Sequence, residues 1–168
     1  MAEWTEVKVA DGVDLWLVAS GSGIRGIEFD LQPVSEWQRN DGNPLLLEAA
    51  HQLRAYFAGA LREFLLPLDI EGTDFQKRVW GQVSAIPYGE TRSYLQISTA
   101  IGSPRAVRAV GAANGANPVP IVVPCHRVIG ANGKLVGYGG GLALKRRLLD
   151  LEGCTSMSFP ITEPRAIK

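Results

Sequence analysis

The chain has little of what most site chemistries need. Of its 168 residues two are cysteine, Cys125 and Cys154, and two are histidine, His51 and His126. Two cysteines without a secretory leader are no disulfide framework. His51 lies far from His126 in a different region, so a zinc-ligand set is not supported. Met1–Lys8 is charged and lacks the apolar stretch of a signal peptide. No apolar run approaches the ~20 residues that span a bilayer. The expected setting is a reducing cytoplasm, with no membrane partner. No P-loop lysine–serine pair follows the glycines, so no phosphate cradle is expected. Net charge is absent too, zero from 17 basic and 17 acidic residues. Taken whole, that argues against a nucleic-acid binder.

The zero hides a division. Residues 1–72 hold five basic against twelve acidic residues, net −7, and residues 73–168 hold twelve against five, net +7. Such asymmetry points to a basic working half carried by an acidic one. Chance segregation in a neutral protein is the bland alternative.

What is present reads as an α+β chain. Strands are expected at Trp4–Val9, Val13–Ala19 and Ile24–Leu31, the last two joined by a Gly21–Gly23 turn. A polar loop over Gln32–Asn43 leads to a helix over Pro44–Phe57, with Leu46, Leu47, Ala50, Leu53, Ala55 and Phe57 as its apolar set. This small sheet with a helix, plus the extended Leu65–Ile70, makes an N-terminal domain over 1–72. Residues 73–153 form a mostly helical domain, and 154–168 a loose tail.

The second domain opens on Thr73, an N-cap with Gln76 as capping-box partner. Phe75, Val79, Trp80, Val83 and Ile86 share one helical face. Helices over Ser93–Ile101 and Arg105–Asn114, joined at Gly102-Ser103-Pro104, read as a helix-turn-helix, with Pro104 suited to the second helix's start. That second helix is alanine-, valine- and glycine-rich. Only Arg105, Arg108 and Asn114 could address base edges, so any DNA binding is expected to be phosphate-driven and indifferent to sequence. A last helix, Leu142–Leu151, carries Lys145, Arg146 and Arg147 on one side.

Chemistry concentrates in Val122–Val128, where Cys125, His126 and Arg127 are consecutive. A free thiol titrates near ~8.5, and a neighbouring imidazole or cation lowers that value. Adjacency is not contact, because neighbours on an extended segment face opposite ways. The residues alone leave Cys125 open between core thiol and nucleophile. Asn117-Pro118 upstream forms a rigid turn. Glycines around Tyr138 downstream form a loop whose backbone can approach a ligand closely.

Ile121–Val128 (IVVPCHRV), with RAVGAANGANPVP before it and GYGGGLALKRRLLDLEG after it, resembles the O6-alkylguanine-DNA alkyltransferases, above all the bacterial methylated-DNA–protein-cysteine methyltransferases. GTDFQKRVW and IPYGETRSY belong to the same pattern, as do the weaker YFAG and IEF segments. The resemblance covers almost the whole chain; beyond Gly153 there is no shared pattern. It implies an RNase-H-like N-terminal domain and a C-terminal helix-turn-helix domain. It implies a monomer without cofactor that enters the minor groove of double-stranded DNA, flips the damaged base and repairs O6-alkylguanine and O4-alkylthymine in any sequence context. Cys125 would then take the alkyl group irreversibly, consuming the protein. His126 would be its base through a bridging water, and Glu152 would orient the imidazole. Asn117 matches the hinge asparagine, Arg108 the finger that fills the flipped nucleotide's place, and Tyr94 the tyrosine that crowds the phosphate and assists protonation of the leaving base. Tyr138, the Gly139 amide and the Val128 carbonyl match the guanine-pocket contacts. This chain lacks the N-terminal cysteines and histidines of the zinc-binding members. It has glycine at 139 where some members have serine. It keeps the cysteine that alkyltransferase-like proteins replace. A lesion-binding protein that no longer transfers, and a sequence-reading regulator with an incidental cysteine, are the competing readings.

Overall fold

Alternation of side chains builds the N-terminal sheet. In the computed structural model, which describes residues 1–30, 32 and 34–154, β1 (Glu3–Ala10) pairs antiparallel with β2 (Val13–Ala19), placing Val7 opposite Leu15. β3 (Ile24–Glu28) pairs antiparallel with β2, placing Leu17 opposite Ile27. Residues at every second position, Thr5 and Val9 on β1 and Val13, Leu15 and Leu17 on β2, are buried, as one covered face requires. The covering element is α1 (Pro44–Phe57), which packs on all three strands. Asn43 caps it, its side-chain oxygen accepting from the Leu45 and Leu46 amides at 2.8 and 3.1 Å. Its buried apolar face is Leu46, Ala49, Ala50, Leu53 and Tyr56, the helical spacing that lies over a sheet. Leu47, expected inside, is 54% exposed, and Tyr56 is fully buried in its stead.

Two features of this unit differ from expectation. The third strand ends at Glu28. The expected loop contains a two-residue strand, β4 (Gln38–Arg39), parallel to β1 and completing the order β3-β2-β1-β4. Both β4 residues are exposed and too few to show alternation, so the sequence carries no signal for them. Leu65–Ile70 is extended and runs beside β3: the Ile24 amide donates to the Pro67 carbonyl at 2.8 Å, and Asp69 N to Ile24 O at 2.9 Å. Gly23 permits this approach, since a Cβ there would lie 2.7 Å from the Pro67 oxygen.

The chain divides into compact units between Glu71 and Gly72. The second begins with α2 (Asp74–Ser84), and the Thr73–Gln76 capping box is formed in both directions. Val79, Trp80 and Val83 face inward, and the Trp80 indole N–H donates to the Ala113 carbonyl at 2.8 Å. β5 (Arg92–Ser93) leads into α3 (Tyr94–Ala100), where Ser93 and Gln96 form a second capping box. α4 (Val107–Gly115) starts two residues later than expected. Pro104 and Arg105 lie in the preceding turn, closed by Ala106 N donating to Ser103 O. α3 and α4 pack together as the helix-turn-helix, and α2 packs on both. Arg108, Ala109, Ala112 and Gly115 are exposed on α4, whereas Asn114, expected among its outward polar residues, is buried.

The Cys-His-Arg segment is not extended. Cys125–Arg127 forms one turn of 3-10 helix, followed by β6 (Val128–Ile129). β6 pairs parallel with β5, Arg92 opposite Val128 and Ser93 opposite Ile129. This unforeseen two-residue ladder sets the start of α3 beside the cysteine turn. α5 (Leu142–Leu151) closes the unit, with Leu148 and Leu149 in the core. Cys154, expected at the head of the tail, is buried with Ile129, Leu135 and Leu149. The rest of the expected tail, 155–168, lies outside the described residues. Among those residues no helix is long and apolar enough to cross a membrane.

Candidate active site

Cys125 sits at the first position of the 3-10 turn, buried, after a strained approach. Ile121 has φ 75°, a left-handed value that a β-branched residue adopts only under constraint, at a cost of about 1–3 kcal/mol. Asn117 braces the approach: its Nδ2 donates to the Val123 carbonyl at 2.7 Å, and its Oδ1 accepts from the Val119 amide at 3.0 Å. Asn114 Nδ2 reaches the Cys125 carbonyl itself, at 3.3 Å. A helix-turn-helix residue thus touches the Cys125 backbone.

The tight turn sends His126 and Arg127 to one partner. His126 Nε2 lies 2.7 Å from Glu152 Oε2. Arg127 Nε donates to Glu152 Oε1 at 2.7 Å, and Nη2 to Oε2 at 3.1 Å. Exposures of 0% for His126, 6% for Arg127 and 5% for Glu152 make this a water-poor cluster. A carboxylate only accepts, so the His126 hydrogen resides on Nε2 and Nδ1 carries the basic lone pair. Arg127, near the thiol in sequence, faces Glu152, because a turn rather than a strand follows Cys125.

A second cation lies on the other flank. Lys145, expected on one side of α5 with Arg146 and Arg147, is fully buried. Its Nζ donates to the Val128 carbonyl at 2.7 Å, Gly137 O at 3.3 Å and Val136 O at 3.4 Å, and lies 6.0 Å from the Tyr94 ring centroid. The Tyr94 hydroxyl donates to Val136 O at 3.0 Å. Tyr138 meets His126 edge-on, with ring centroids 6.5 Å apart. Gly139 follows it in the glycine loop, exposed.

These surroundings set the protonation behaviour. Burial pushes the Cys125 thiol up, and the Asn117 side chain and the Lys145 charge pull it back down. Burial likewise lowers His126, against the Glu152 carboxylate, which raises it; Arg127 and Lys145 lower it further. Burial brings Lys145 down to about 8, and burial together with the Cys125 charge takes Tyr94 up to about 12. Burial thus favours the uncharged thiol and the neutral imidazole.

Cys125, His126, Glu152, Asn117, Tyr94, Val128 and Tyr138 are brought to one region. Arg108 stands apart, exposed near the start of α4. His51 is exposed on α1, and no metal-binding group of side chains forms among the described residues. The sequence reading missed Lys145 and Asn114 as site residues. Lys145 was visible in principle, since it stands three and four residues before the core positions Leu148 and Leu149. Asn114 left no such signal.

Fold and site define a two-unit α+β protein whose helical half joins a helix-turn-helix to a buried Cys–His–Glu cluster. Residues 74–154 match the 6-O-methylguanine DNA methyltransferase DNA binding domain, and 13–70 its ribonuclease-like domain. A methylated-DNA–protein-cysteine methyltransferase of Mycobacterium bovis is 65% identical over 142 residues, covering 82% of this chain and 85% of that protein. One of Methanosarcina acetivorans is 49% identical over 142 residues, 82% of this chain and 90% of that protein. The crystal structure of Mycobacterium tuberculosis OGT in complex with DNA superposes with a TM-score of 0.84 at 48% identity, covering 90% of this chain and 93% of that one. This chain belongs to the 6-O-methylguanine DNA methyltransferase family.

Proposed function

We propose that this protein repairs double-stranded DNA by moving the alkyl group of O6-alkylguanine, and of O4-alkylthymine, onto its own Cys125. The observation that carries the reading is the buried Cys125–His126–Glu152 cluster, in which a carboxylate orients the imidazole of the residue that follows the thiol. The thiol proton passes to His126 Nδ1 through a bridging water. The thiolate attacks the alkyl carbon, the carbon–O6 bond breaks, and its electron pair moves onto the guanine. Tyr94 gives its hydroxyl proton to the departing base and regains one from the His126 imidazolium. The charge that holds the Tyr94 proton on is in part that of the Cys125 thiolate. Forming the neutral thioether removes it, so Tyr94 becomes a better donor as the guanine anion develops. The thioether has no ready route back, and each molecule acts once.

DNA would meet the exposed small-residue face of α4, which allows close approach without reading sequence. Arg108 would fill the place of the flipped nucleotide. Asn117 would act as the hinge between α4 and the nucleophile. Tyr138, the Gly139 amide and the Val128 carbonyl would hold the base. A monomer suffices for these roles, and a cytoplasmic, reducing setting keeps Cys125 a thiol. Incubation with a duplex carrying O6-methylguanine, followed by intact-mass measurement, tests the reading. One methyl group per protein on Cys125 is expected, with no further turnover. Tight lesion binding with an unmodified mass would overturn transfer in favour of a lesion-binding role.

A further inference from the structure

The arginine that follows Cys125 and His126 is turned inward, and its hydrogen bonds go to a carboxylate and a backbone carbonyl. Arg127 spends its fork on Glu152, at 2.7 and 3.1 Å, and its remaining nitrogen on the Ile86 carbonyl at 2.7 Å. Its guanidinium carbon lies 5.7 Å from the Tyr88 ring centroid. Tyr88 in turn donates its hydroxyl to the Leu151 carbonyl at 3.3 Å, next to Glu152. Gly89 completes the wrap at φ 84°, where a Cβ would lie 3.1 Å from the Glu152 carbonyl oxygen. The Ile86–Gly89 turn after α2 is thus shaped around an arginine–carboxylate pair, and it grips that pair from outside the His126 contact.

A histidine base needs orientation without permanent protonation, and a buried carboxylate supplies the first at the expense of the second. Alone beside an imidazole, Glu152 would favour the imidazolium, which cannot accept a proton from a thiol. A second cation on the same carboxylate removes that bias. We propose that Arg127 is a positioning residue for proton removal from Cys125: it takes both oxygens of the carboxylate that orients His126, cancels its charge, and leaves the ring fixed but neutral. The inference rests on His126 acting as the base for Cys125. Cys125 precedes the ring in sequence; the groups that act on it are Arg127 on its own turn, Glu152 and Lys145 from α5 and its end, and Tyr138 from the glycine loop. Of these Glu152 alone draws the proton onto the ring, while Arg127 and Lys145 oppose it.

Two measurements decide it. In a Cys125→Ser background, the His126 ring is titrated by NMR in proteins with Arg127, Arg127→Lys and Arg127→Met. The lysine variant keeps the charge and should leave the midpoint in place. The methionine variant should raise it by about one pH unit. With Cys125 present, single-turnover methyl transfer is followed across pH. Its acidic limb should move up by the same amount in Arg127→Met, slowing the reaction about tenfold below the midpoint. Arg127→Lys should slow it several-fold without moving the limb, through the lost fork. A folded Arg127→Met protein with an unmoved histidine midpoint would reduce the arginine to a packing element. A limb that rises in Arg127→Lys would equally sink the charge argument, and that variant decides the matter if the methionine protein does not fold. The NMR arm needs no methyl transfer, so a failure of Cys125 as acceptor would be seen separately.

Discussion

Lys145 makes folding stability depend on pH in a direction opposite to that of an ion-paired lysine. Its ammonium is fully buried, is bonded to three carbonyl oxygens, and makes no ion pair among the described residues. Burial brings it from 10.5 to about 8. At about 1.4 kcal/mol per pH unit, its charged form then costs about 3 kcal/mol in the folded state. Below pH 8 both folded and unfolded chains carry the proton and the full cost is present. Between about 8 and 10.5 the unfolded chain binds more protons than the folded one, so stability rises with pH; above that window the gain is complete. Replacement of Lys145 by Met removes this dependence. It also orphans the Val128, Val136 and Gly137 carbonyls, but that loss is the same at every pH. Urea unfolding of Cys125→Ser and Cys125→Ser/Lys145→Met proteins isolates the effect, since the Cys125 charge that bears on Lys145 is gone from both. The stability difference should move by about 3 kcal/mol in favour of the lysine protein between pH 7 and 10.5. A difference that stays constant would refute the reading of Lys145 as a buried, unpaired charge.

Three further outcomes follow. Asn117→Ala removes the bonds to Val123 O and Val119 N; it should cost about 1–3 kcal/mol in urea unfolding and shift the alkylation of Cys125 by iodoacetamide to higher pH, because the Asn117 side chain helps lower that thiol. Arg108→Ala, exposed and apart from the cluster, should slow repair of a duplex substrate while sparing reaction with the free O6-alkylguanine base; equal losses on both would exclude a role in flipping. Thr73→Ala breaks the capping box at the start of α2 and should lower stability by about 1 kcal/mol, read as a drop in Tm with transfer kinetics unchanged in the folded protein.

Much of the fold was legible because its signals are local. The Thr73 cap, the sheet's alternation and the Pro44–Phe57 helix each follow from residues within one or two turns of each other. Elements of two residues escaped, since neither β4 nor the β5–β6 pair is long enough to show a period. The start of α4 was misread because Pro104 suits a helix's first turn and a tight turn equally well. In the site, Cys125, His126 and Glu152 were named from the motif, but the partner of Arg127 was not, because a 3-10 turn redirects consecutive side chains in a way that the sequence does not declare.

The sequence by itself determined that this is an α+β chain with a basic helical half, consecutive Cys, His and Arg residues and a glycine loop downstream of them. Composition, periodicity and motif are properties of neighbours along the chain. Tertiary structure alone decided which cation serves which anion. Arg127 and His126 share Glu152 across 25 and 26 residues of chain, and Lys145 is driven into the interior by the leucines on its own helix face, where three backbone carbonyls hold it. Charge interactions depend on distance and burial rather than on sequence separation, and the functional charges of this site were settled only when the chain closed around them.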